Sequence, residues 1–399
     1  INIIEDKKDY SVGEVLNIVE PSPYRITPKC QVFLKCGGCH FQHIDYSHQL
    51  ELKKSVFIDT CKRIGRFEPE IADSVFYEIW NYRNKAQLPV QDQHGLRIGY
   101  FEMRSHVAVE HTLCPINAGA INNVLPSIKE CIKVSNIKIY DENSHNGNLR
   151  HIIIKAGINT NQLHLTFVTK EKELVNDIHV RLQNDLNNLV GVCQNINPHR
   201  TNRIMGTSGF VRWGSEYIEE KIAGKIFRIG PACFFQVNTQ IAEAMVRKAE
   251  DLLNLEGSEV VLDLYSGIGT FGVSIAEKVS RVIAIEGNSE AVRYGIENAK
   301  INNNRNIEFI QDRVEVGLQQ VKDATVAIID PPRKGIASSV IDRLVGLEIR
   351  KIIYVSCNPS TFARDVARFN EKGYKLKKCF LFDMFPQTYH IEILSLLER

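Results

Sequence analysis

Long apolar runs are missing from this sequence. No stretch of its 399 residues approaches the roughly 20 uninterrupted apolar positions that a helix needs to cross a bilayer. No membrane partner is therefore expected. The start of the chain also lacks a basic, apolar leader ending in small residues, and together the two absences set the expectation of a soluble, cytoplasmic protein. Excess charge of one sign is lacking too: 49 Lys and Arg against 47 Asp and Glu leave a formal charge of +2. Any contact with nucleic acid has to come from local patches rather than a global field. Neither an internal repeat nor a low-complexity tract is present. The first residue is Ile1 and not methionine, which sets the expectation of a processed or cut chain with a segment upstream. What is there is an ordinary globular composition, 44% hydrophobic and 24% charged, long enough for two or three domains. Ten cysteines in this context point to metal or catalytic use before disulfides.

Three of those cysteines are clustered. Cys30, Cys36 and Cys39 follow the pattern C-x5-C-G-G-C, and Gly37 and Gly38 let the backbone wrap so that successive sulfurs face one centre. Cys114, in Leu113-Cys114-Pro115, is the best candidate for a fourth ligand. All-thiolate ligation suits either a structural zinc or an iron–sulfur cluster. The paired C-x2-C knuckles more usual for zinc are missing, which favours a cluster; four unligated cysteines are the bland reading. Before this loop, Ser11–Val19 alternates like an edge strand and stops at Glu20-Pro21-Ser22-Pro23, a linker.

Downstream, the spacing predicts a helix over Tyr46–Arg66 that ends at Gly65 as its C′ glycine. Trp80–Gln87 mixes aromatic, amide and basic side chains before a Leu88-Pro89-Val90 strand, a mixture that suits stacking on bases and gripping phosphates. An exposed strand edge dressed in polar residues reads the same way. Two alternating runs between Leu149 and Phe167 read as a β-hairpin, with His151 and His164 as half-buried sheet residues rather than ligands. Glu171–Leu189 reads as an amphipathic helix on that sheet, and Asn197-Pro198 opens a looser approach to a second domain.

From Val260 onward the pattern is α/β. The strand Val260–Leu264 runs into a glycine-rich turn in which Gly267, Gly269 and Gly272 satisfy G-x-G-x-x-G. The next strands end in Glu286, Asp312 and Asp330, each delivering a carboxylate to the edge where doubly wound sheets bind ligands. Asp263 beside the loop disfavours a pyrophosphate and favours a cationic donor such as S-adenosylmethionine over NAD. Farther on, Ile352–Ser356 is a buried strand that stops at Cys357, with Asn358 as a helix N-cap and Pro359 at the first helical position. A cysteine at a helix N-terminus is expected to favour its thiolate. A small buried hydrophobe at a strand end is the plain alternative. Glu392, inside the apolar run Ile391–Leu394, is expected to be desolvated with its pKa raised.

Taken in order, these motifs resemble the RNA uracil-5-methyltransferase family, and closely its iron–sulfur-containing bacterial branch acting on 23S ribosomal RNA. The likeness rests on the C-x5-C-G-G-C loop with Cys114, Phe234–Asn238, Asp263–Gly269, Asp330–Gly335, Ser356–Pro359 and Phe385–Glu392. It implies a Rossmann-like S-adenosylmethionine-dependent domain at 231–399 and an α+β central domain at 23–230 carrying the cluster loop. Residues 1–22 would be the remnant of an N-terminal β-barrel that binds RNA. It further implies Cys357 as nucleophile and Glu392 as general base, and Gln236, Tyr265, Gly267, Thr270, Glu286, Asp312 and Asp330 around S-adenosylmethionine. Cys30, Cys36, Cys39 and Cys114 would hold a 4Fe–4S cluster, a structural clasp. The implied substrate is a flipped-out uridine in 23S ribosomal RNA, with transfer RNA as the other target, and the implied state a monomer. Cytosine-5 RNA enzymes place a second cysteine in the fourth-strand motif; none occurs at Asp330–Gly335, which favours uracil. A non-catalytic RNA-binding protein on the same frame is the reading from another class.

Overall fold

A computed structural model describes residues 1–92, 95–111, 113–173 and 178–399. The chain opens with an exposed two-stranded hairpin, β1 (Asn2–Asp6) and β2 (Ser11–Glu14). The strand expected over Ser11–Val19 thus ends at Glu14, opposite Asn2, where its partner β1 begins. The cysteine loop follows, then helix α1 (Tyr46–Thr60), capped by Asp45, whose carboxylate accepts from Ser47 N. This helix runs on through a π-turn at Cys61–Gly65, and the left-handed residue that stops it is Arg66 rather than Gly65. Glycine is needed at 65 for space: a Cβ there would lie 2.4 Å from the Phe67 ring and 2.9 Å from the Ala363 carbonyl.

Strand β3 (Ile71–Val75) leads into β4 (Lys85–Gln91), β5 (Arg97–Phe101), β6 (Ala108–Glu110), α2 (Gly119–Val134), β7 (Leu149–Gly157), β8 (Gln162–Thr169), α3 (Ile178–Asp185), β9 (Leu189–Ile196) and β10 (Ser208–Gly214). Seven of these strands form one sheet in the order β10-β9-β8-β7-β4-β5-β6, antiparallel except for β8 with β9. The amphipathic α2 buries Ile121, Val124, Leu125 and Ile128 against it. The hairpin read from Leu149 to Phe167 is β7–β8, and both of its histidines are fully rather than half buried, because the sheet is covered on both faces. Of the helix expected over Glu171–Leu189, the described part is Ile178–Asp185, and residues 174–177 lie outside the described residues.

The hairpin β11 (Ile218–Ile222) and β12 (Lys225–Ile229) precedes α4 (Thr239–Leu253), β13 (Val260–Leu264), α5 (Thr270–Ile275), β14 (Arg281–Glu286), α6 (Ser289–Ile301), β15 (Ile307–Gln311), α7 (Val314–Gly317), β16 (Val326–Ile329), α8 (Ser338–Gly346), β17 (Lys351–Ser356), α9 (Pro359–Glu371), β18 (Lys375–Phe382) and β19 (Glu392–Glu398). The second sheet has the order β15-β14-β13-β16-β17-β19-β18-β3. Its first five strands are parallel, and β19 enters antiparallel between β17 and β18. The Val/Ile-rich strands are buried on both faces, as parallel strands covered by helices must be. One face packs on α4, α5, α6 and the β11–β12 hairpin, and the other on α1, α7, α8 and α9.

Two segments that sequence order assigns to the central part belong to this second unit. Helix α1 buries Phe57 in the core beneath α9, and β3 pairs in parallel with β18 as the eighth strand. Trp80–Gln87 is likewise not an open RNA-facing strip. Tyr82 and Asn84 are buried; the Tyr82 hydroxyl donates to the Pro386 carbonyl, and Asn84 Nδ2 donates to Gln236 O and Thr239 Oγ1. The mixed composition serves a seam between two units, where polar groups must find partners from both sides.

Candidate active site

The ends of β13 and β16 and the turn after β13 line an open cavity. Gln236, Tyr265, Gly267, Thr270 and Asp330 line it, together with Phe234, Phe235, Asp263 and Ser266. Why the turn has this shape follows from local contacts. Asp263 Oδ2 accepts from Gly272 N at 2.8 Å, and a Cβ at Gly272 would lie 2.7 Å from that oxygen, so only glycine allows the close approach. Tyr265 is held in the left-handed region at φ 60°, a conformation that costs a bulky residue on the order of 1 kcal/mol or more. Its hydroxyl and the Ser266 hydroxyl are buried without a protein partner, which marks them as free to meet a polar ligand.

The expected cofactor residues divide by position. Glu286 lies behind the turn rather than on the cavity wall: its two oxygens accept from Gly267 N at 3.0 Å and Asn288 N at 2.7 Å. Asp312 is at the end of the neighbouring strand, with its amide bonded to the Glu286 carbonyl and its Oδ1 to Arg313 N, and it does not line the cavity. Burial pushes the Asp263 carboxyl up to about 7, against the bond from Gly272 and with help from Asp330 and Glu286. Asp330 is pushed up to about 7 by burial as well, with Gln236 donating to it in opposition.

Cys357 and Glu392 do not line this cavity, but both lie within electrostatic reach of Asp330 on its wall. Ser356 and Ile393 are the last pair of the β17–β19 ladder, and the residues next to them, Cys357 and Glu392, are close enough for the carboxyl to act on the thiol. As the sequence indicates, Asn358 caps α9 by accepting from Ser360 N at 3.0 Å, with Pro359 at the first helical position. The expected thiolate is not favoured in the free protein. Burial pushes the Cys357 thiol up to about 11, the Glu392 and Asp330 carboxyls add to the rise, and Arg333 opposes it. A helix N-terminus does not outweigh desolvation plus two neighbouring acids. Glu392 itself is buried, and burial followed by Asp330 raises its pKa well above the ordinary carboxylate range, with Arg333 opposing. Sequence reading missed Arg333 as a partner of the cysteine. The available signal was its place directly after Asp330-Pro331-Pro332.

The four expected metal-ligating cysteines are brought together. Cys30, Cys36, Cys39 and Cys114 line one cavity of about 340 Å³ with Phe33, Tyr100, His111 and Ile116. Burial pushes Cys39 up to about 12 and Cys114 up to about 11, and the crowding of the other thiols adds to each. Among the described residues, no group of three His, Cys, Asp or Glu side chains converges closely enough to hold a single metal ion. The loop is tied to the reaction edge: His40 N and Phe41 N both donate to the Gln387 carbonyl at 2.9 Å, five residues before Glu392.

This arrangement has known counterparts. The family model for tRNA (uracil-5-)-methyltransferase matches residues 45–324 and 312–399. An RNA methyltransferase of Clostridium tetani is 37% identical over 405 residues, covering 100% of this chain and 88% of that relative. One from Halalkalibacterium halodurans is 36% identical over 408 residues, covering 99% and 88%. Among solved structures, the Pyrococcus abyssi tRNA (uracil-54, C5)-methyltransferase in complex with S-adenosyl-L-homocysteine superposes with a TM-score of 0.82 at 30% identity, over 98% of this chain and 90% of that one.

Proposed function

Because this chain belongs to the RNA (uracil-5-)-methyltransferase family, we propose that it methylates carbon 5 of a uridine in 23S ribosomal RNA, using S-adenosylmethionine and a transient bond from Cys357 to carbon 6 of the ring. The observation that carries the reading is that Cys357 and Glu392, next to the last pair of the β17–β19 ladder, both lie within electrostatic reach of Asp330, which lines the acid-rimmed cavity. S-adenosylmethionine fits that cavity. Asp263 and Asp330 suit its cationic sulfonium, and the unpartnered hydroxyls of Tyr265 and Ser266 supply hydrogen bonds. Glu286, whose oxygens are taken by Gly267 N and Asn288 N, fixes the turn from behind, and a grip on ribose would require one of these bonds to open, with Asp312 at the end of the next strand.

The residues divide the chemistry. Carbon 5 of uracil is too weak a nucleophile to take a methyl group unaided. Cys357 adds as thiolate to carbon 6, and the electrons of the 5,6 double bond move into an enolate that reacts through carbon 5. After carbon 5 has displaced the donor's neutral thioether, the Glu392 carboxylate takes the carbon 5 proton. The ring double bond re-forms and the carbon–sulfur bond breaks, returning the thiolate. A base inside folded RNA must leave its stack to reach Cys357, and Phe234, 65% exposed at the cavity mouth, offers a ring for it or for the space it vacates. Asp330 with its prolines reads the uracil edge.

Cys30, Cys36, Cys39 and Cys114 would hold a 4Fe–4S cluster, a reading supported by their all-thiolate lining of one cavity and by a spacing without the paired knuckles of zinc sites. The cluster supplies a clasp, not a reaction step. As purified anaerobically, the protein should be brown and lose its colour on oxidation; a colourless, zinc-loaded protein would remove this part of the reading. The enzyme is proposed to act as a cytoplasmic monomer.

Transfer RNA is the second reading, favoured by the Pyrococcus abyssi enzyme, whose substrate is tRNA. Transcripts of 23S ribosomal RNA and of tRNA carrying 5-fluorouridine have no removable proton at carbon 5, so an active enzyme with S-adenosylmethionine becomes covalently trapped on its true substrate. Trapping on 23S transcripts alone is expected, trapping on tRNA alone selects the second reading, and release from both on denaturation leaves a non-catalytic binder. Cys357→Ala must abolish trapping.

A further inference from the structure

Arg333 is an exposed residue with a fixed backbone. Its carbonyl accepts from Asn358 Nδ2 at 3.1 Å and Thr361 Oγ1 at 3.3 Å, which pins the main chain against the cap of α9. The guanidinium lies near enough to Cys357 to oppose the rise of its thiol, and its Nη2 lies 3.2 Å from Nδ1 of His390. A long, exposed side chain keeps one rotamer only if something holds its far end, and a thiol alone is a weak acceptor.

His390 is built to be that holder. Burial first, then Arg333, His40 and Lys53, pull its pKa down to about 4, so the ring is neutral at working pH. A guanidinium has donors only, so the Nδ1 it faces carries the lone pair and the ring proton is on Nε2. The imidazole is itself fixed, with its backbone N–H donating to Thr388 Oγ1 at 3.2 Å and its ring packed against Tyr389 and Phe385.

We propose that His390 is a positioning residue for methyl transfer: by accepting from Arg333 it holds the guanidinium against the sulfur of Cys357, so that the thiolate forms opposite a fixed cation. The inference rests on Cys357 being the nucleophile. The groups facing that sulfur make the need plain, because Glu392 and Asp330 both oppose its ionisation and Arg333 is the cation set against them. The site therefore activates its cysteine through a guanidinium whose aim depends on a neutral histidine.

The test reads Cys357 directly in the full-length protein without RNA or donor, by the rate of its alkylation with iodoacetamide, followed on the Cys357 peptide by mass spectrometry across pH. His390→Leu removes the acceptor and should shift the profile upward by roughly one unit, slowing alkylation at pH 8 about tenfold. His390→Asn places an amide oxygen near the Nδ1 position and should restore most of the rate. Arg333→Gln should reproduce the leucine variant, and the double variant His390→Leu/Arg333→Gln should be no slower than Arg333→Gln alone. An unchanged profile in His390→Leu, an asparagine variant as slow as leucine, or a further loss in the double variant would each overturn the proposal. Because no RNA is present, persistent RNA trapping by Cys357→Ala would sink the nucleophile reading separately, without altering these rates.

Discussion

Asp263 and Asp330 keep their protons up to about pH 7 because burial outweighs the hydrogen bonds each accepts. A sulfonium cation in their cavity favours the carboxylate form, so S-adenosylmethionine binding should release protons and tighten as pH rises from 6 to 8. S-adenosylhomocysteine, whose sulfur is neutral, should show little of either. Calorimetry in two buffers of different ionisation enthalpy measures the protons released, and equal values for both ligands would refute the assignment. The same shift has a stability consequence whose sign is opposite to the usual acid. The unfolded carboxyl ionises near 4, the folded Asp263 only near 7, so the native state holds an extra proton in that window and stability falls as pH climbs through it. Asp263→Asn, which still accepts from Gly272 N, should therefore be more stable than the parent at pH 8 by roughly 2–4 kcal/mol and nearly equal to it at pH 4. Urea denaturation at the two pH values checks this. Cys357 and Glu392 are both raised, and both must lose a proton in the reaction, so the single-turnover rate should climb from pH 6.5 to 9. A falling rate over that range would mean a different acid–base pair.

At the scale of elements, α1 is stapled to the segment that carries Glu392. Lys53 Nζ lies 2.7 Å from Asp383 Oδ1 with both side chains 1% exposed, and the Tyr46 hydroxyl donates to the other oxygen. Lys53→Ala leaves a buried, unpaired carboxylate and should cost about 3–5 kcal/mol, read as a lowered urea midpoint. Asn84 is the matching link on the other side. Its side chain holds Gln236 O and Thr239 Oγ1, so Asn84→Ala should weaken S-adenosylmethionine binding several-fold, losing about 1–3 kcal/mol of buried hydrogen bonding. Elements whose reasons are local were legible in the sequence: Asn358-Pro359 declares a helix start, and the Val/Ile runs ending in acids declare a parallel sheet with its ligand edge. Features decided by distant partners were not. Nothing within Trp80–Gln87 says that its polar groups face Gln236 and Pro386, so an interior seam reads like an RNA surface. The thiol of Cys357 is raised first by burial and then by Glu392 and Asp330, and all three arise only once distant strands have folded together. Arg66 takes the left-handed cap because Gly65 is occupied in giving room to Phe67 and Ala363.

On the scale of the whole molecule, the second sheet is assembled from both ends of the chain. Its outer strand β3 comes from residues 71–75, and β19, made last at residues 392–398, lies between β17 and β18. A fragment of residues 231–399 would expose the edge of β18 and the apolar face that α1 covers. Expressed alone it should aggregate, and co-expression with residues 24–80 should improve its recovery as a soluble species on size exclusion. Long-range strand pairing of this kind is slow to form. Synthesis therefore has no useful stopping point short of β19: until it has been made, β17 and β18 have no strand between them and the proposed base Glu392 is missing. A chain halted before residue 392 should therefore be cleared by proteases rather than persist as a weaker enzyme.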